Sequence, residues 1–373
     1  MKHEWALEQI TGTEHELLLC LTRPSRTPST SQRIKLLLQE PVDWECLIAT
    51  ANDHRVLPLL AREIQPFATS VPQPVMTQLN QEARQIAESN LGLSGKLLKL
   101  FALLQENNVP AIPYKGPALA ETAYGDIKLR QFTDLDILVR KHDLQKIKSI
   151  LLANGCEPGW RLTRQQESAV LRHYYEYPFL CNERSVLVEV HWALAEHFFS
   201  FSFDIEQLRD RLETIVILGK SLQTLAREDS LLVICAHGSK HAWQRLGWIC
   251  DVAYLVGRSG DLDWPVVFER AAALGLTTML SLGLLLAKEL LEVDLPEPCL
   301  QRMKFEPSLV RLTKEISASL FRRADGNSRT LDHPTLLQLR MRERIRDRLK
   351  FCFRLIVSTK LVDSLFMPMG RPR

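Results

Sequence analysis

Two short apolar runs, each interrupted by acids, limit what this chain can fold into: FTDLDILV at residues 132–139 and VLVEVHW at 186–192. Their length and their β-branched residues favour strands over helices. Side chains at i and i+2 of a strand share a face, so Asp134 and Asp136 present two carboxylates side by side while Leu135 and Ile137 enter a core. Adjacent carboxylates repel, and a divalent cation that prefers oxygen ligands, such as magnesium, removes the repulsion. Taken alone, the alternation also fits an exposed edge strand. The second run adds Glu189, a single acid in an apolar strand, where a lone charge is costly unless paired or coordinated. If the two strands are neighbours, three carboxylates surround one point, the arrangement that holds two metal ions for in-line phosphoryl chemistry.

His191 lies on the same strand face as Glu189, where it can orient that acid, touch a phosphate or serve as a satisfied structural histidine. Upstream, IPYKGPAL at 112–119 ends a strand, turns at Gly116 and opens a helix with Pro117 at its first position. Exposed amides at such a turn suit a phosphate, and Lys115 would add charge. Without its neighbours the same Lys-Gly-Pro is only a turn. Arg130, four residues before Asp134, is a further phosphate candidate, with a solvated loop arginine as the alternative.

Helical patterns flank these segments, so the expected fold class is α+β, a small mixed sheet between helical regions. Residues 1–105 read as an N-terminal helical region that ends in a long run over 75–106 with leucines at helical spacing. The α/β core spans 106–200, with strands at 109–114, 134–139, 174–180 and 186–192 and a hairpin turn at 182–185. It also holds helices at 117–123 and 143–154, the second closed by Gly155. A helical domain follows at 201–325, with helices expected near 204–218, 228–257, 264–275, 277–292 and 307–323. The polar stretch 324–330 reads as a linker to a basic extension at 326–373, helical over 335–361.

On the helix expected at 228–257, His237, His241, Arg245 and Trp248 follow at intervals of four, four and three and share a face. Lys240, His241 or Arg245 can reach phosphates, and Trp243 or Trp248 can stack on a base. The plainer reading is a helix–helix interface in which Asp251 pairs with a nearby basic residue. His237 and His241 have the spacing of a zinc pair, but no third ligand accompanies them. In the C-terminal extension, 340–360 carries eight arginines and lysines against two acids, with Ile345, Leu349 and Phe353 among its apolar positions. A solvated helix docked by its apolar side, an RNA-binding face and a membrane-surface helix all fit that pattern.

Bulk properties remove some functions. A net charge of +3 is too small to mark the whole chain as a nucleic-acid binder. The eight cysteines are scattered, with no CxxC pair and no spacing that suggests a disulfide framework or zinc knuckle, so a reducing cytoplasm is expected. The N-terminus lacks the apolar core of a signal peptide, and no run approaches the roughly 18 apolar residues of a membrane span.

Together, a glycine turn at a helix start, an Asp-apolar-Asp strand and a single acid on a later strand resemble the DNA polymerase beta-like nucleotidyltransferase superfamily. Tyr114-Lys115-Gly116, Tyr124, Arg130, Asp134-Leu135-Asp136 and Val188-Glu189-Val190-His191-Trp192 are similar to an uncharacterised bacterial nucleotidyltransferase family in which Lys-Gly replaces the usual Gly-Gly or Gly-Ser. Residues 44–60 and 237–255 resemble the same family's flanking helices. The resemblance implies a cytoplasmic enzyme that uses two Mg2+ ions, or Mn2+ in their place, held by Asp134, Asp136 and Glu189. It would move a nucleoside monophosphate from a nucleoside triphosphate such as ATP to an unidentified acceptor hydroxyl, releasing pyrophosphate. A small-molecule acceptor is favoured, with a protein or tRNA target of a toxin-like transferase as an alternative. A catalytically silent nucleotide-binding or scaffold protein is the other, since Pro117 stands where the signature has a second small residue.

Overall fold

The computed structural model describes residues 12–193, 205–258, 262–303, 306–322 and 334–353. The chain starts with four short helices, α1 (Thr13–Thr22), α2 (Pro28–Leu37), α3 (Trp44–Asp53) and α4 (Leu57–Glu63). The starts of α2 and α3 are fixed by Thr27 and Asp43, whose side-chain oxygens accept the amides of Thr30 at 3.1 Å and Cys46 at 2.9 Å. The long run becomes one helix, α5 (Gln73–Glu106), which buries Leu93, Leu97, Leu100 and Leu104 at helical spacing.

The sheet is built from β1 (Ala111–Pro113), β2 (Asp134–Val139), β3 (Glu157–Pro158), β4 (Glu176–Cys181) and β5 (Val186–His191), in the order β1-β2-β5-β4-β3. Between these strands run α6 (Gly116–Leu119), α7 (Leu144–Ala153) and α8 (Arg164–His173). β2 and β5 are parallel neighbours, while β1 on β2 and β4 on β5 are antiparallel. The mixed sheet between helical regions bears out the α+β reading. Leu135 and Ile137 enter the core beneath the sheet, as the alternation requires. Asn182, Glu183 and Arg184 close the β4–β5 hairpin in left-handed conformation.

Downstream come α9 (Ile205–Arg209), β6 (Glu213–Ile217), β7 (Lys220–Thr224), α10 (Arg227–Lys240) and α11 (Leu246–Arg258). Then follow α12 (Trp264–Leu274), α13 (Thr277–Leu291), α14 (Glu297–Arg302), α15 (Pro307–Ser319) and α16 (Pro334–Arg340). Three sequence expectations change here. The helix expected at 204–218 ends at Arg209, and its second half pairs with β7 as a hairpin turning at Leu218 and Gly219. The helix expected at 228–257 is two helices, broken at 241–245, where Ala242 and Trp243 take left-handed φ values. Cys156 and Cys181 form a disulfide that joins the approach to β3 to the end of β4.

The C-terminal helix also breaks after Arg340 and resumes over 345–353. Asp347 and Phe351 are buried there, whereas Ile345, Leu349 and Phe353 face solvent. Arg340 pairs with Glu315 at 2.6 Å, and Arg344 donates to the carbonyls of Ala272 and Ala273, so part of the basic cluster is spent inside the chain. The 324–330 linker and Arg354, Ile356 and Lys360 lie outside the described residues. No described helix is long and apolar enough to cross a membrane.

One hydrophobic core joins α1 to α4 with α10 to α13, and His15 of α1 stacks on Phe321, just after α15, at 4.5 Å. His54 sits in this seam, accepting the Leu246 amide on Nδ1 at 3.0 Å. Burial pushes its pKa from 6.5 down to about 4, against the pull of Asp53. The folded value lies below the unfolded one, so its contribution to stability is whole above pH 6.5 and is lost as pH falls towards 4. Acidification across this window should cost on the order of 3 kcal/mol through His54. His54→Asn keeps an acceptor near the Nδ1 position and should flatten the pH dependence of the urea midpoint. An equally steep profile in the variant would remove His54 as its cause.

Candidate active site

The register of the sheet makes the site. β2 and β5 run parallel with Asp136 directly opposite Glu189, so their carboxylates lie on one face. Asp134 precedes Asp136 by one step on that face and is half-buried. His191 follows Glu189 and is buried under both acids, its Nε2 3.1 Å from Asp136 Oδ1 and 3.5 Å from Glu189 Oε2. Glu176, opposite His191 in the β4 register, brings Oε2 to 3.5 Å from Nδ1. The histidine is thus framed by three acids. Ligand atoms of Asp136, Glu189 and His191 all fall within 4.8 Å of one another, close enough to share one cation, and Asp134 is not in that group.

The turn before β2 supplies the counter-charge. Lys115 donates to Asp136 Oδ1 at 3.0 Å and lies over the Tyr114 ring. Gly116 has φ of +50°, and a Cβ there would come 3.1 Å from the Asp134 carbonyl oxygen. Both facts call for glycine, and they bring the Lys115 backbone against the acid strand. The phosphate turn expected at this place is a four-residue helix that widens into a π turn over Ala120–Tyr124.

A cavity of about 460 Å³ opens over these carboxylates. Its lining includes Asp134, Asp136, Glu176 and Glu189 from the sheet and Arg55, His237, Lys240, His241, Arg245 and Trp248 from the helical regions. The broken helix does not undo the expected grouping: His237 and His241 lie 4.7 Å apart by ring centre, and each meets the Trp248 ring. Lys240 hydrogen-bonds the Tyr175 hydroxyl. Arg245 lies over Trp248 at 5.5 Å. Arg130 lines the cavity too, but its guanidinium is paired with Asp251 of α11.

The sequence model of one protein family, described as uncharacterised nucleotidyltransferase, matches residues 40–292. The chain belongs to that family. No curated protein and no solved structure matches it. The matched span takes in both acid strands, the Lys115 turn and the α10–α11 wall.

The electrostatics of the candidate site are those of an overcharged acid cluster. Burial, with Asp136 and Glu189 nearby, pushes the Asp134 carboxyl up to about 6. Burial would raise Asp136 as well, yet Lys115 and His191 hold it well below the usual carboxylate range. Lys115 and His191 are buried, which favours their neutral forms, but the surrounding acids raise both above their ordinary values. Across the cavity, burial and the neighbouring cations keep His237 far below 6.5 and take His241 down to about 4, so both rings are neutral at pH 7.

Sequence reasoning overlooked Glu176 and placed Asp251 only in an unspecified pair. Glu176 carries the same signal as Glu189, a single acid in an apolar strand, and could have been found from it. The partner of Asp251 lies 121 residues away, and no local pattern announces it.

Proposed function

We infer that the chain transfers a nucleoside monophosphate from a nucleoside triphosphate to an acceptor hydroxyl, with a divalent cation held by Asp134, Asp136 and Glu189. The observation that carries this reading is a cavity lined by both signs of charge, the acids of β2 and β5 together with Lys240 at the end of α10 and Arg245 in the break before α11. A metal-bound polyphosphate is the common ligand with both signs of charge. The donor set fits magnesium or manganese, since it offers carboxylate oxygens and lacks cysteine. When bound, the cation supplies positive charge to the triphosphate and to the departing pyrophosphate.

The chain's own residues do the rest. The acceptor oxygen attacks the α-phosphorus, the bond from that phosphorus to the β-phosphate bridging oxygen breaks, and pyrophosphate leaves. The acceptor proton passes to a carboxylate at the site, with Glu189 the best placed because it is the more exposed of the paired acids. His191, hydrogen-bonded to Asp136 through Nε2, keeps that carboxylate in place. Lys115, Lys240 and Arg245 supply charge for phosphates, and Trp248 offers a face for a base.

The test is thermal unfolding with each nucleoside triphosphate, with and without Mg2+. A ligand that binds only the folded state stabilises it by about 2.7 kcal/mol at a hundredfold excess over its Kd. The expected result is a rise in Tm that requires both nucleotide and metal. Absence of a shift with any nucleotide, under either Mg2+ or Mn2+, would exclude the reading.

A further inference from the structure

We propose that Asp251 is the positioning residue of the nucleotide site, holding one edge of the Arg130 guanidinium so that its other edge meets the phosphates. This rests on the nucleotide reading above. Arg130 donates from Nε to Asp251 Oδ1 at 2.8 Å and from Nη2 to Oδ2 at 3.1 Å, a two-pronged pair along one edge. Tyr124 donates to the same Oδ1 at 2.8 Å. A guanidinium carries five N–H groups, and this pair uses two. Nη1 and the outer N–H of Nη2 form a second fork, matched to two oxygens of a phosphate, and Arg130 and Asp251 both line the cavity.

The surroundings are built to hold rather than to switch. The Asp251 side chain is 5% exposed and that of Arg130 15%. Displacing Arg130 would leave a buried carboxylate with Tyr124 as its remaining donor, a costly state. The backbone is fixed as well: Asn90 of α5, fully buried, donates to the carbonyls of Ile127 at 2.7 Å and Arg130 at 2.8 Å. The other inner cation, Lys115, is engaged by Asp136, so the planar fork of Arg130 is the better fit for phosphate oxygens. A carboxylate on α11 thereby fixes a phosphate contact that belongs to the loop before β2.

Asp229 provides the control. It too is a buried carboxylate, bridging Arg211 and Arg270, but none of the three lines the cavity. The experiment measures binding of each nucleoside triphosphate with Mg2+, and of tripolyphosphate alone, to the full chain by calorimetry. Asp251→Asn and Arg130→Lys should each weaken both ligands about tenfold or more, and the double variant should be no worse than either single one. Tyr124→Phe, which keeps every charge, should weaken them about two- to threefold. Asp229→Asn should lower Tm and leave affinity unchanged. If Asp251→Asn fails to fold, Arg130→Lys and Tyr124→Phe carry the test. Wild-type affinity in these variants, or additive losses in the double one, overturns the proposal while leaving the nucleotide reading intact. A wild-type chain that binds neither ligand overturns both.

Discussion

Replacing Asp136 by asparagine is expected to lower nucleotide turnover by at least about a hundredfold, the scale of losing one preorganised charged group at a reacting phosphate. The change keeps volume and shape but replaces one carboxylate oxygen by an amide NH2. Lys115 and His191 both meet Oδ1 of Asp136, so the variant also leaves a buried ammonium with poorer compensation. Two readouts separate these effects. Tm without ligand reports the lost pair, and kcat at saturating nucleotide and metal reports the lost chemistry. A folded variant that turns over nucleotide at the wild-type rate would remove Asp136 from the reaction.

The second large effect lies in the core. Trp243 is fully buried, and two helices omit a side chain to admit it: a Cβ on Gly238 would come 2.5 Å from the indole, and one on Gly283 2.9 Å. Trp243→Ala should cost about 3–5 kcal/mol, because the site cannot collapse around so large a void. The loss should also reach function. The indole anchors the left-handed break at 242–243, and that break places His241 and Arg245 in the cavity wall. We therefore expect a lowered urea midpoint together with a raised KM for nucleotide. A destabilised variant with an unchanged KM would show that the wall is held independently of its anchor.

These two positions mark what could be read from the sequence and what could not. Asp136 was legible because strand alternation is local: each acid announces its face through its own neighbours. Its pairing with Glu189 was not, since register between strands about fifty residues apart depends on the parallel connection and not on either segment. The α10–α11 break was hidden because 241–245 contains neither proline nor glycine and the apolar spacing runs on across it. The β6–β7 hairpin was misread for the opposite reason. Its β-branched run, Thr214 to Ile217 before Gly219, signals a strand, but the preceding helical spacing carried the assignment past Arg209. The Cys156–Cys181 bridge and the Arg130–Asp251 pair share one obscurity, since each joins residues that only the finished fold brings together.

The core that unites the first helices with α10 to α13 has a consequence for the order of assembly. During synthesis, α1 to α4 can pack on one another and on α5, but their partners in α10 to α13 lie more than a hundred residues behind them. They cannot complete that core until Trp243 and α13 arrive, so the cationic wall of the cavity closes among the last steps of folding. A growing chain therefore carries its acid strands before it has the wall that faces them, and the cavity takes shape only once α13 has been made.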